Sequence, residues 1–258
     1  MRREKTNYII QSVSHALDVL EQFAGEHDEL GVTELSKRLK LHKNNVFRLL
    51  ATLESRGYIE QNKATENYRL GIGCLQLGQT FVAHMGLLQQ ARPIIESLAQ
   101  DASETAFVAV LRKACVVAVD AVEARHPVRM SSRIGEALPL HCTAAGKVQL
   151  AFISDADLRE ALTAGLPKFT DRTITDQQRL QQQLRQIAES GHAVELGEHI
   201  ADVHSIAVPI RDYTRNVVGS LAVSGPAYRM SAERIEKEIA PQLAKAGRDL
   251  SNRLGYKA

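Results

Sequence analysis

Apolar positions recur along this chain at two different spacings, and the change of spacing divides it. From Gly31 to Gly57 the run GVTELSKRLKLHKNNVFRLLATLESRG carries a helical period. Leu35 and Leu39 stand four apart, with Glu34 in a first turn where an acid is favourable. Val46, Leu49, Leu50 and Leu53 fall at i, i+3, i+4 and i+7, the spacing of a helix buried along one face. The opposite face then gathers Asn44, Asn45, Phe47, Arg48, Ala51 and Thr52. Upstream, Val13, Leu17, Leu20 and Ala24 predict a helix capped by Ser12 that packs on the second of these. Two short strand-like runs, Tyr58 to Gln61 and Asn67 to Leu70, flank a polar turn and predict a hairpin. Gly71 to Gly73 reads as a breaker before a helical run from Cys74 to His84, which Gly86 interrupts and Leu87 to Asp101 resumes.

Beyond that point the period shortens toward two. Thr105 to Leu111 and Val116 to Val122 predict a hairpin turned at Arg112 to Ala114, followed by a strand near Val128 to Ile134 and a loop holding Pro139. Helices are predicted over Thr143 to Ile153, over Ser154 to Thr163 with Ser154 as cap, and from a Thr175 or Asp176 cap to about Ser190. Strands at His192 to Leu196, Ser205 to Ile210 and Val217 to Val223 precede a last helix, Ser231 to Leu254. Adjacent strand pairs with grouped helices give an α+β fold with a mainly antiparallel sheet. The predicted divisions are 8–71, a linker helix 72–86, and 87–258.

Composition alters this picture only locally. A chain of 258 residues, 44% apolar, 24% charged and of net charge +2, is long enough for two domains and lacks a polyanion-binding bias. Five Lys or Arg (Lys37, Arg38, Lys40, Lys43 and Arg48) and no acid lie between Leu35 and Leu53. A helix offering Asn and Arg on one face suits a DNA major groove, since Asn pairs adenine, Arg pairs guanine and Lys neutralises phosphate. A hairpin directly after such a helix is the wing of a winged helix-turn-helix, and its Lys63 is placed for the phosphate backbone or minor groove. Helix, helix and wing within about forty residues favour duplex DNA as partner over a solvated helical hairpin. Three scattered cysteines, Cys74, Cys115 and Cys142, fit reduced thiols in a cytoplasm. No leader peptide and no membrane span is expected.

Catalytic readings fail on spacing. Ala145-Gly146-Lys147-Val148 lacks the earlier glycine and the hydroxyl residue of a phosphate loop, and Gly71-Ile72-Gly73 lacks a third glycine. His192, His199 and His204 make no metal pattern, so no metal or cofactor is expected. His141 and Cys142 are adjacent but lack an orienting acid or an oxyanion loop. The small residues of Leu140 to Gly146 leave room either for close helix packing or for a ligand at a helix start. The rival to a DNA-binding regulator is a small-molecule-binding or catalytic α+β domain whose helical N-terminus serves only oligomerisation.

From Ser12 to Tyr256 the chain resembles the IclR family of bacterial transcriptional regulators. The resemblance rests on Ser12-Val13 with Ala16-Leu17 and Val19-Leu20, on Thr33-Glu34-Leu35-Ser36, and on Val46-Phe47-Arg48-Leu49-Leu50-Ala51-Thr52-Leu53. It continues through Arg56-Gly57-Tyr58, Tyr68-Arg69-Leu70-Gly71, Leu138-Pro139-Leu140-His141, Gly146-Lys147, Arg172-Thr173-Ile174-Thr175 and Ser224-Gly225-Pro226. It implies a winged-helix DNA-binding domain, a linker helix used in dimerisation, and a GAF-like domain holding a small effector. It further implies a homodimer or dimer of dimers that represses or activates catabolic genes. The effector residues it implies are Ala144, Ala145, Gly146, Glu195, Val203, Ser205, Ala222 and Ser224, with Met130 lining the same cavity; Leu140 adds an apolar wall. A small organic acid is the expected effector, its carboxylate at the Ala144 to Gly146 helix start. Several positions depart from the family's pattern. Ser205 stands for a usual Cys, His204 for Arg, Lys40 for Gly, His42 for Pro or Ser, and Asn44-Asn45 for Ser-Thr. Leu75, Leu77 and Phe81 are the apolar positions expected to pair the linker helix with a second copy.

Overall fold

The computed structural model describes residues 9–24, 29–84, 86–131, 134–163 and 165–257. They form two compact units, 1–84 and 85–258.

In the first unit α1 (Gln11–Glu21) runs into a 3-10 turn, Gln22–Ala24. Its N-cap is Ile10, without a side-chain bond, so Ser12 does not cap it. Its inward face is also rotated from the expected one. Val19 and Phe23 are buried with Ala16 and Leu20 beside them, whereas Val13 and Leu17 are exposed. Both sets have helical spacing, and the bulk of Phe23 decides which one faces the core. α2 (Val32–Leu39) carries a Glu34–Arg38 ion pair of 2.5 Å and ends at Lys40, which adopts a left-handed φ of 55°. α3 (Lys43–Ser55) starts at His42, whose Nδ1 accepts the Asn44 N–H at 3.3 Å. Val46, Leu50 and Leu53 of α3 close on Leu35, Ile59 and Tyr68 to form one core.

The wing is β1 (Ile59–Gln61) paired antiparallel with β2 (Tyr68–Leu70). A bridge from Leu30 to Tyr68 adds a pairing on the other side of β2 that the sequence pattern did not announce. α4 (Ile72–His84) begins before Cys74, so the Gly71 to Gly73 segment does not interrupt it. Those glycines serve close approach. A Cβ on Gly71 would lie 2.4 Å, and one on Gly73 2.8 Å, from the Gly57 carbonyl oxygen. Ile72, Leu75 and Leu77 of α4 are exposed; the side chain of Phe81 lies outside the described residues.

The second unit is a six-stranded antiparallel sheet between two helical layers. Its strands are β3 (Thr105–Arg112), β4 (Cys115–Val122), β5 (Ala137–Pro139), β6 (Ala193–Leu196), β7 (Val203–Arg211) and β8 (Val217–Pro226), in the order β5-β4-β3-β8-β7-β6. No strand forms over Val128 to Ser131, and Ile134 sits in a turn. The edge strand falls instead at Ala137–Pro139, where the loop was expected. An edge position tolerates Pro139, because its missing N–H faces no further strand.

One face of the sheet packs on α5 (Gly86–Ala102) and on the C-terminal helix, through Ile95, Val108, Ile206, Leu221, Val223 and Leu243. That helix runs from α9 (Ala232–Arg234) through a π-helical turn, Ile235–Ile239, into α10 (Ala240–Arg253). The other face packs on α6 (Ala144–Leu150) and α8 (Gln177–Ser190), with α7 (Asp155–Ala161) alongside. Thr143, Ser154, Asp176 and Ser231 each cap the helix that follows with a side-chain acceptor. Covered on both sides, β8 is buried along most of its length.

Candidate DNA-binding helix and ligand cavity

On α3, burying Val46, Leu50 and Leu53 leaves Lys43, Asn44, Asn45, Phe47, Arg48 and Thr52 exposed along the opposite side. Among the described residues the side chains of Lys43, Asn44, Asn45 and Arg48 make no hydrogen bond or ion pair. Arg38 and Arg69 nearby are held by Glu34 and Glu60. The Thr52 hydroxyl turns back to the Arg48 carbonyl at 2.8 Å and presents its methyl outward. Phe47 is 56% exposed, unusual for a phenyl ring on a helix with a filled core. Lys63 is exposed on the turn between β1 and β2, which Asn62 shapes by accepting the Ala64 N–H and which Glu29 ties down through Asn62 and Thr65.

In the second unit strand register assembles a cavity of about 340 Å³. Thr105 pairs with Ser224, Ser224 with Ser205, and Ser205 with Glu195. These four residues form one polar row across β3, β8, β7 and β6, and all four line the cavity. The next row on the same face is Phe107, Ala222, Ala207 and Ala193, small except at one end, and α6 lies over it. Met130, Ala144, Ala145 and Val203 join Glu195, Ser205 and Ser224 in the lining.

Three residues expected there do not line it. Ala222 belongs to the alanine row, fully buried beneath α6, and Leu140 is buried in the same core. Gly146 is spent on contact with the chain before it, since a Cβ there would lie 2.4 Å from the Leu140 carbonyl oxygen. Its N–H is also occupied, donated to Thr143 Oγ1 at 3.1 Å.

The lining further includes Phe107, Ala118, Ser131, Glu136, Leu138, Thr143, His199 and Ile200, none of which the sequence assigned to a ligand site. Thr105, Glu136 and Leu138 are brought in by strand pairing across long separations, which carries no local signal. Thr143, expected as the first helical residue, caps α6 instead, its Oγ1 donating to the Pro139 carbonyl at 2.6 Å while accepting from Gly146. Thr105 Oγ1 donates to the Met130 carbonyl at 2.6 Å and accepts the Ala124 N–H at 3.2 Å, fixing the segment that carries Met130 and Ser131.

Charge in this region is unevenly compensated. Lys147, fully buried, forms an ion pair with Glu198. Burial lowers the Lys147 pKa, and the Glu198 carboxylate opposes that loss. Glu195 is 2% exposed, and its Oε1 accepts the backbone N–H groups of Glu198 and His199. Burial pushes its carboxyl up to about 7, against the pull of those two N–H groups and of Lys147. Burial likewise holds the His141 and His199 imidazoles below their ordinary value.

The adjacent His141 and Cys142 do not form a nucleophile and base. His141 Nε2 is bonded to the Pro167 carbonyl at 3.0 Å, and Cys142 is fully buried with its thiol pushed up to about 12 by burial. Among the described residues no group of three or more His, Cys, Asp or Glu side chains is placed to hold a metal ion.

A family model described as the IclR helix-turn-helix domain matches residues 12–63, and one described as the bacterial transcriptional regulator IclR C-terminal matches 79–252. The chain belongs to the IclR family. It is 33% identical over 252 residues to the HTH-type transcriptional regulator XynR of Escherichia coli K12, covering 97% of this chain and 99% of that one. A crystal structure of an IclR-type regulator from a Silicibacter species superposes with a TM-score of 0.84 at 30% identity, covering 96% and 97% of the two chains. An IclR homologue from Microbacterium hydrocarbonoxydans, solved in complex with 4-hydroxybenzoate, shares the fold with a TM-score of 0.83 at 24% identity, over 95% of this chain and 99% of that one. IclR relatives are named as transcriptional regulators and not as enzymes. The antiparallel sheet with an N-terminal helix-turn-helix is the architecture of this family.

Proposed function

We propose that this IclR-family regulator binds an operator as a homodimer or a dimer of dimers, and that a small organic acid in the second unit modulates that binding. Segment 8–71 would contact DNA, 72–86 would join the copies, and 87–258 would hold the ligand. The observation that carries the DNA reading is the exposed side of α3. Asn44, Asn45 and Arg48 stand there without partners among the described residues, above a core that fixes their direction. Arg48 and Asn44 read base edges, Asn45, Phe47 and Thr52 complete the groove contact, and Lys43 and Lys63 hold phosphate. The apolar exposed residues of α4, Ile72, Leu75 and Leu77, support pairing with a second copy, as two operator half-sites require.

The ligand reading is supported by the cavity, whose polar row stands beside the apolar side chains of Phe107, Met130, Leu138 and Val203. Such a ligand switches transcription only by binding one arrangement of the DNA-binding segments better than another. A cytoplasmic location follows from the DNA partner, and no helix among the described residues is long and apolar enough to cross a membrane.

Genomic fragments retained by the full chain at moderate salt test the first half of this reading. One strongly enriched intergenic fragment is expected, and retention of none above a protein-free control would leave the rival reading, a domain whose helical N-terminus only assembles copies. Filling the cavity by Ala145→Phe, or stripping its hydroxyl by Ser205→Ala, should abolish the effector response while the fragment is still bound. An undiminished response in both variants would place the ligand elsewhere.

A further inference from the structure

We propose that Glu195 meets the ligand as a neutral carboxylic acid, donating its Oε2–H to the ligand's carboxylate, so that each organic acid admitted to the cavity binds together with one proton. The inference rests on the organic-acid reading and adds to the backbone N–H groups at the α6 start what that reading lacks, a side-chain donor for the anion. Among the described residues no Lys or Arg lines the cavity, while two carboxyl groups, Glu195 and Glu136, do. Lys147 is fully buried and committed to Glu198.

The hydroxyls are largely spoken for. Thr105 donates to the Met130 carbonyl and Thr143 to the Pro139 carbonyl, and Ser205 and Ser224 share a bond of 3.0 Å that uses one of their two protons. An ionised Glu195 would therefore place like charges together with no Lys or Arg of the described lining between them. A protonated Glu195 turns the same pair into a charge-assisted O–H···O hydrogen bond.

Geometry selects the oxygen that carries the proton. Oε1 already accepts two backbone N–H groups, from Glu198 and His199, whereas Oε2 has no partner among the described residues and belongs to a cavity-lining side chain. The titratable groups around it are Lys147 and Glu198, which pair with each other and act on it with opposite sign, together with His199, Glu136, His141 and Cys142. Of these, His141 and His199 are held toward neutrality by burial and the Cys142 thiol stays protonated. The elevated Glu195 carboxyl, near 7, agrees with this arrangement. No atom beyond one proton from solvent is needed.

The experiment uses the full chain with carboxyl-labelled glutamate. In the ligand-free protein one glutamate carboxyl should titrate between pH 6 and 8, and Glu195→Gln should remove it while Glu136→Gln leaves it. Calorimetry then follows with 4-hydroxybenzoate and D-gluconate as carboxylate probes, and with 4-hydroxybenzamide and D-glucose as uncharged counterparts. From pH 6.5 to 8.5, affinity for a carboxylate probe should fall roughly 25-fold, with proton uptake approaching about one per site at the upper end. Glu195→Gln keeps an N–H donor but cannot titrate, so its affinity should hold within about twofold. Absence of a carboxyl titrating above pH 6, or carboxylate affinity unchanged across this range, overturns the proposal. So does binding by the uncharged probes alone. DNA retention by the same preparations is read separately, so a failure at Glu195 is not confused with a failure of the regulator reading.

Discussion

Arg48 and Glu195 are ionisable groups in opposite circumstances, one exposed and without a partner among the described residues, the other buried and held there through backbone N–H groups. For Arg48 the expected consequence is specificity. Arg48→Ala should cost about 1–3 kcal/mol of operator affinity and relax the preference at one base pair per half-site, whereas Lys43→Ala should weaken all sequences alike and flatten the salt dependence. Binding curves against the retained fragment at two salt concentrations check this, and unchanged curves for Arg48→Ala would mean that another face reads DNA. For Glu195 the consequence is a pH-dependent cost to folding. Its carboxyl is raised from 4.5 to about 7 in the folded chain, so ionisation disfavours the folded state. The penalty is absent below about pH 4.5, grows as pH rises toward 7, and is complete above it. Wild-type stability should lose as much as about 3 kcal/mol over that window relative to Glu195→Gln. Denaturant midpoints for the two proteins at pH 5 and pH 8 measure the difference, and parallel profiles would refute it.

At the scale of elements, most of the helices, the wing and the strand pairs were legible because each depends on local periodicity and caps. Val46, Leu50 and Leu53 announce α3, and Asp176 and Ser231 announce the helices after them. Where local signals were equivalent the reading slipped. α1 offered two helical faces, and contact with Phe23 chose between them. The short β5 carried too little pattern to stand out, and pairing with β4 defines it. The cavity was partly legible through Glu195, Ser205 and Ser224, but Thr105, Glu136 and His199 reach it only through tertiary pairing.

Two sites where backbone geometry opposes the side chain can be tested. Lys40 ends α2 with a left-handed φ of 55°, so Lys40→Gly should stabilise the first unit by about 1 kcal/mol, read as a raised melting temperature. Gly71→Ala would drive a methyl against the Gly57 carbonyl and should destabilise the junction of wing and α4 by about 1–3 kcal/mol. A melting temperature within a degree of wild type would mean that the backbone yields there.

For the molecule as a whole, a net charge of +2 conceals the local excess of positive charge around α2 and α3. DNA affinity should therefore fall steeply with salt although the protein is nearly neutral. The apolar residues exposed on α4 give the second expectation at this scale. Leu75→Glu combined with Leu77→Glu should shift sedimentation toward monomer and lose operator affinity together. A stable dimer with full affinity would place the interface on another surface.

On the proposed ligand reading, the polar row across β3, β8, β7 and β6 sets how such a protein can change its chemical taste. Each strand presents alternate residues to opposite layers, so Ser205 faces the cavity while Ile206 faces α5 and the C-terminal helix. Single replacements at Thr105, Ser224, Ser205 or Glu195 can therefore alter what is recognised while the packing behind the sheet stays untouched. A one-residue slip in any of these strands would exchange the two sets at once, putting serine into the core and isoleucine into the cavity. Ligand preference is thus free to drift by point substitution and is closed to insertion or deletion within these four strands.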